Sequence, residues 1–123
     1  MDVEQIFKMV LDSSFKVHSA LGPGLLENAY EECLLYELIE SGLQVRRQVG
    51  LPLVYREVRL DAGYRVDLLV EDKVIIELKA VEALSDVHLA QLITYLKLSG
   101  CKLGLLVNFN VKHLKHGIKR VIY

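Results

Sequence analysis

Gly63-Tyr64-Arg65-Val66-Asp67-Leu68-Leu69-Val70, then Glu71-Asp72-Lys73, then Val74-Ile75-Ile76-Glu77-Leu78-Lys79-Ala80 reads as two β-strands joined by a polar turn, because β-branched and aliphatic runs flank a short charged break. Side chains alternate across a strand. Tyr64, Val66, Leu68 and Val70 are therefore expected on one face with Val74, Ile76, Leu78 and Ala80, a face that is core throughout. The opposite face receives Arg65, Asp67, Glu77 and Lys79 beside Leu69 and Ile75. A hairpin centred on Asp72 sets Asp67 directly opposite Glu77, with Cβ atoms about 4.5–5.5 Å apart. Two carboxylates so close repel each other until a cation joins them, and both can reach one hard ion at the oxygen distance of about 2.0–2.1 Å that magnesium requires. Lys79 stands roughly 7 Å further along the same face, where its ammonium meets a metal-bound water or a phosphate oxygen. The same four charges also fit a surface ion-pair ladder, and spacing alone does not separate the two.

Outward from this hairpin, the chain upstream is helical. Val3, Ile6, Phe7, Val10, Ser14, Val17 and Leu21 recur at helical spacing, with Asp2 and Gln5 placed to cap the start. Gly22-Pro23-Gly24 ends that helix. A second is expected from about Leu25 to Ser41, with Leu26, Tyr30, Cys33, Leu34 and Leu38 inward, an acidic opposite face and Gly42 as its stop. From Val45 to Ala80 the pattern predicts three strands or more. Downstream, a third helix from about Asp86 to Ser99 closes at Gly100, and the apolar strand Leu103–Phe109 follows as in a crossover unit. Gly117–Tyr123 suits an edge strand. No repeat or linker interrupts the pattern, so residues 1–123 are expected to form a single α/β domain.

Composition narrows the class. With 52% hydrophobic and 25% charged residues the chain has a generous core and is not of the disordered type. No run reaches the eighteen or so apolar residues of a membrane span, and the N-terminus lacks the basic-then-apolar order of a signal peptide, so a cytoplasmic protein without membrane contact is expected. Cys33 and Cys101 sit in apolar surroundings without CxxC or zinc-type spacing and read as reduced core thiols. The net charge of −1 is unevenly distributed: no Asp or Glu follows Asp86, while Lys97, Lys102, Lys112, Lys115, Lys119 and Arg120 do. Such asymmetry fits either a polyanion-binding face or a solvated basic surface. Lys112, Lys115, Lys119 and Arg120 are the candidates for nucleic-acid contact.

Asp67 followed by Glu77-Leu78-Lys79 resembles the Asp…Glu-x-Lys signature of PD-(D/E)XK nucleases. Gly24-Leu25-Leu26-Glu27-Asn28-Ala29-Tyr30 resembles the Gly-x-x-Glu-x-x-Tyr motif of the GxxExxY family within that superfamily. Together the resemblance covers nearly the whole chain. Val66 stands where the superfamily's name has Pro, a position that contributes no ligand. The fold implied is a restriction-endonuclease-like core, a central mixed β-sheet flanked by α-helices in the order α-β-β-β-α-β, here with an extra N-terminal helix. The activity implied is hydrolysis of phosphodiester bonds in DNA or RNA with Mg2+ or Mn2+. By the resemblance, Asp67, Glu77, Glu27 and the Leu78 carbonyl hold the metal, Lys79 acts on the water or the phosphate, and Gln91 and Tyr95 brace the site. Glu27 has a structural alternative: with Gly24 as N-cap it would occupy the third helical position and satisfy free backbone donors. His88 shares a helical face with Gln91 and Tyr95 and reads as a satisfied polar residue. Two rival readings remain at this stage. One is a nuclease-fold domain with weak or no turnover that binds nucleic acid or a protein partner. The other is a subunit that assembles, for instance as a homodimer, through an apolar edge at Leu103–Phe109 or the C-terminal strand.

Overall fold

The computed structural model describes residues 1–123, the side chain of Ala62 excepted. Helix α1, Val3–Leu21, opens with the expected capping box: the Asp2 side chain accepts from the Gln5 N–H and the Gln5 side chain from the Asp2 N–H. Helix α2 is Glu27–Glu40. Strands β1, Val45–Tyr55, β2, Val58–Val70, and β3, Val74–Lys79, follow. Helix α3, Asp86–Ser99, ends on Gly100 in the left-handed conformation at φ 78°. Strand β4, Leu103–Asn108, a short 3-10 turn Leu114–Gly117 and strand β5, Ile118–Ile122, complete the chain.

The five strands lie in the order β1-β2-β3-β4-β5. β1/β2, β2/β3 and β4/β5 are antiparallel, and β3/β4, joined through α3, is parallel. The mixed sheet with helices on both faces is the α/β restriction-endonuclease-like fold expected. Leu103–Asn108 is an interior strand, so the expected apolar edge at Leu103–Phe109 is not an edge: β3 and β5 hydrogen-bond to its two sides. Its six residues are all buried, which explains the continuous apolar run.

Helices α1 and α2 cover one sheet face. Ile6, Phe7, Val10, Tyr30, Leu34 and Leu38 pack there on Leu68, Val70, Val74, Ile76, Leu78, Leu105 and Val107. Helix α3 covers the other, with Leu92, Tyr95 and Leu96 on Val66, Leu69, Ile75, Leu106 and Val121. Gly104 permits this approach, since a Cβ there would meet Leu92 Cδ1 at 2.9 Å. No described helix is long and apolar enough to cross a membrane.

The hairpin register is the one expected, with Leu68 opposite Ile76 and Val70 opposite Val74. The alternation is not. Val66 packs on the α3 side with Leu69, and Tyr64 meets Tyr95 of α3 at 5.9 Å between rings, whereas both were expected on the face of Leu68. The chain changes face at Asp67. β1 makes the same change directly opposite: Arg47 reaches Glu31 and Glu32 of α2, Val49 packs on the α3 side, and Gln48 between them adopts φ 51°. A left-handed residue turns the strand, and the pair bends together.

Candidate active site

Below Leu68 and Ile76, strands β2 and β3 part, and two carboxylates occupy the opening. The Asp67 N–H donates to Glu77 Oε1 at 3.0 Å, and the Leu78 N–H donates to Asp67 Oδ2 at 2.9 Å. Side-chain acceptors thus replace ladder carbonyls, and the donors that the divergence would orphan are satisfied. Asp67 and Glu77 are neighbours, as expected, but they bridge the gap instead of facing each other as a ladder pair.

Glu77 is 3% exposed. Burial first, and the charge of Asp67 second, push its carboxyl up to about 9, against which the Asp67 N–H and Lys79 pull only partly. Asp67 is raised too, by burial, with the Leu78 N–H drawing it back and Glu31 adding to the rise. Both shifts have burial as their main cause, which Lys79 offsets only in part, and a cation placed there would favour the charged forms. No ion pair joins either carboxylate to Arg65 or Lys79 among the described residues, so the exposed ladder is not formed.

The other candidates from α3 and β3 gather on the α3 side. Lys79 Nζ donates to Gln91 Oε1 at 3.5 Å, a long contact. Tyr95 is buried, and its hydroxyl is pushed up to about 12 by burial and then by the charges of Glu77 and Asp67. His88 is engaged elsewhere: its Nδ1 accepts from the Ser85 N–H at 3.1 Å, closing the capping box of α3.

Glu27 comes from the α2 side. It is the first residue of α2, and the N-cap is Leu26, so the alternative that made it a third-position capping residue of Gly24 is corrected. Its carboxyl is raised by burial and by Asp67, with Lys79 and the Ala80 N–H drawing it down, which sets it beside the same cluster. The surrounding motif accounts for its position. Gly24 has φ 104°, a conformation L side chains rarely adopt, and its N–H donates to Asn110 Oδ1 at 3.1 Å. Tyr30 is fully buried, stacked on Phe109 at 4.7 Å. Its hydroxyl donates to the Gly22 carbonyl at 2.6 Å and accepts from the Leu25 N–H at 3.1 Å. Gly and Tyr thus fold the loop that delivers Glu.

Two residues were missed by sequence reasoning. Glu31, one turn after Glu27, is 6% exposed and accepts from Gln48 Nε2 at 2.7 Å and Arg47 at 3.2 Å. Gln48 Nε2 also lies 3.4 Å from Asp67 Oδ1. The four-residue interval from Glu27 to Glu31 was the available signal; for Gln48 there was none. Among the described residues, no three His, Cys, Asp or Glu side chains are drawn together closely enough to hold a metal by themselves.

The four bases assigned to nucleic acid do not line a single cavity. Lys112 and Lys115 line one cavity with α1, and Lys119 lines another with Glu82 and His116. Arg120 turns the other way, over the Phe7 ring at 4.6 Å, and is paired with Glu4 at 2.5 Å.

The family model described as the PD-(D/E)XK nuclease superfamily matches residues 4–121. No curated protein and no solved structure matches the chain.

Proposed function

The chain belongs to the PD-(D/E)XK nuclease superfamily, and from that premise we propose that it is a metal-dependent nuclease hydrolysing phosphodiester bonds of nucleic acid at the Asp67–Glu77 opening. One observation carries this reading: buried Glu77 and half-buried Asp67 stand side by side where β2 and β3 part, each accepting a backbone N–H from the other's strand, and burial disfavours both charges. The donor set fits a hard divalent cation, Mg2+ or Mn2+, which prefers oxygen ligands. Asp67, Glu77, the Leu78 carbonyl and Glu27 would hold it, with Glu31 close to the first of these. When bound, such an ion polarises the phosphate and lowers the pKa of a water. Superfamily members generally use divalent metals, and nucleic acid is their general substrate.

The chain's own residues supply the rest. Lys79, steadied by Gln91, orients the attacking water or offsets charge developing on phosphorus. Tyr95 keeps its proton through the physiological range and serves as a donor at the edge of the carboxylate pair. Glu77 is 3% exposed, and this exclusion of water strengthens each of these electrostatic interactions. The Gly24…Glu27…Tyr30 loop supports placement in the GxxExxY family.

Metal-dependent cleavage of a mixed panel of DNA and RNA by wild type, Lys79→Ala and Asp67→Asn tests the proposal. Cleavage by wild type alone, abolished by chelation, supports it. Nucleic-acid binding without turnover under every metal would favour the inactive-domain reading, which draws on the fact that among the described residues no three His, Cys, Asp or Glu side chains cluster.

A further inference from the structure

A cavity of about 570 Å3 opens between the last turns of α1 and the segment after β4, lined among others by Phe15, His18, Gly22, Lys112, His113 and Lys115. Nothing in the catalytic proposal uses it. No Asp or Glu lines it, and neither Lys112 nor Lys115 makes an ion pair among the described residues. Phe15 is an aromatic ring left 40% exposed on its wall. The final carbonyls of α1 carry partial negative charge at this end of the helix and disfavour an anion beside them, while Lys112 and Lys115 supply positive charge to the lining.

The cavity is tied to the candidate site. Asn108 pairs with Lys79 across β3 and β4, and the Phe109 N–H donates to the Lys79 carbonyl at 2.9 Å. Asn110 holds Gly24, and its amide reaches the Val81 carbonyl at 3.4 Å. The next residue, Val111, takes His18 Nε2 on its carbonyl at 2.7 Å, fixing the cavity wall. Lys112 follows Asn108 by four residues. Its Cα therefore lies within roughly 20 Å of that of Lys79, with about 4.8 Å across the strand pair and at most about 14 Å along the chain. At a rise of about 3.4 Å per nucleotide along one strand, that is no more than about six nucleotides.

We infer that this cavity seats an unpaired nucleotide of the substrate, its base against Phe15 and its phosphates on Lys112 and Lys115, so that the preferred substrate carries a single-stranded end or flap beside the cleavage point. The inference rests on the nuclease reading and deepens it. The volume suits one nucleotide-sized ligand, and a phenyl ring on a cavity wall stacks on a base that has left its duplex, because a base inside a duplex has both faces covered by its neighbours. Phosphates go to the lysines because the carbonyls at the helix end repel them.

Fluorescence anisotropy in chelator tests this without turnover, using a fluorescein-labelled oligo(dT) about twelve nucleotides long, within the site sizes such grooves take, and a blunt duplex of equal length. The wild type should bind the single strand more tightly. Phe15→Ala and Phe15→Leu should weaken single-strand binding about tenfold and leave duplex binding unchanged, while Phe15→Trp keeps it. Lys112→Ala with Lys115→Ala should lower the single-strand salt slope by about 1.4, at roughly 0.7 per phosphate contact. Duplex preference, equal losses on both probes, or no loss in the Phe15 variants overturns the subsite. Thermal melts confirm that each variant is folded. Cleavage with Mg2+ or Mn2+ is read separately: binding that depends on Phe15 without any cleavage sinks the nuclease proposal alone, and cleavage indifferent to Phe15 sinks the subsite alone.

Discussion

Asp67 and Glu77 hold each other in place through the backbone: Glu77 Oε1 accepts the Asp67 N–H at 3.0 Å, and Asp67 Oδ2 accepts the N–H of Leu78, the residue after Glu77, at 2.9 Å. The two carboxylates therefore stay adjacent although burial opposes both charges and the charge of Asp67 adds to the rise of Glu77.

Asp67→Asn should separate repulsion from ligation. The amide oxygen still accepts from Leu78, and the charge facing Glu77 disappears, so stability without metal should hold near neutral pH, where Glu77 keeps its proton, and rise above about pH 9. Wild type in excess Mg2+ should gain stability, by about 2.7 kcal/mol at a concentration a hundred times the dissociation constant, and the variant should lose that gain. Thermal melts of both proteins with and without Mg2+ read the four values; a wild type indifferent to metal and destabilised by the change refutes the metal site.

The metal-free protein should lose stability as pH rises. The Glu77 carboxyl has its folded value raised to about 9 from the ordinary 4.5, so between these two values the native state holds a proton that the unfolded chain has released. Stability contributed by this group is complete below the unfolded value, declines through the interval and levels off above the folded one. Denaturant titrations in chelator across that range should show the decline, and Glu77→Gln should flatten it.

Lys79→Ala should lower the cleavage rate by about 10²–10³, the usual loss for one electrostatic donor, while preserving stabilisation by Mg2+. Gln91→Ala should cost about 10–100-fold in kcat with little change in KM, because its carbonyl only steadies Lys79. A KM effect of the same size would instead place Gln91 on the substrate.

Gly24→Ala should destabilise the protein by about 1–3 kcal/mol through backbone strain alone, since a Cβ there meets nothing within 4 Å and the whole cost lies in φ 104°. Tyr30→Phe leaves the Leu25 N–H and the Gly22 carbonyl without their partner and should cost roughly 1–3 kcal/mol. Urea titrations measure both, and a cost below about 0.5 kcal/mol for either would show that the loop is not held in this way.

Much of the fold was legible because burial leaves a local periodic trace. Helix α3 begins at Asp86 and ends at Ser99 as read from its pattern and Gly100, and the hairpin register through Leu68 and Ile76 follows from the position of its turn. Asp67, Glu77 and Lys79 could be named together because two-residue alternation and one register set their relative positions within a single hairpin.

Relations between distant elements left no such trace. Val66 sits on the α3 face because Gln48, on a different strand, takes φ 51° opposite Asp67 and both strands turn there. Glu31 joins the cluster because α2 crosses β1 at Arg47 and Gln48. Lys119 and Arg120 looked like one basic run, yet successive strand residues face opposite ways, and only the pairing of β5 with β4 decides which helix layer each one meets. The sequence by itself determined which segments are helix or strand and which chemical groups the central hairpin carries, since both are set by neighbours along the chain. The tertiary structure alone decided where the strands part, which acids line the opening and which bases share a surface, because these depend on side chains meeting across elements whose packing no single segment encodes.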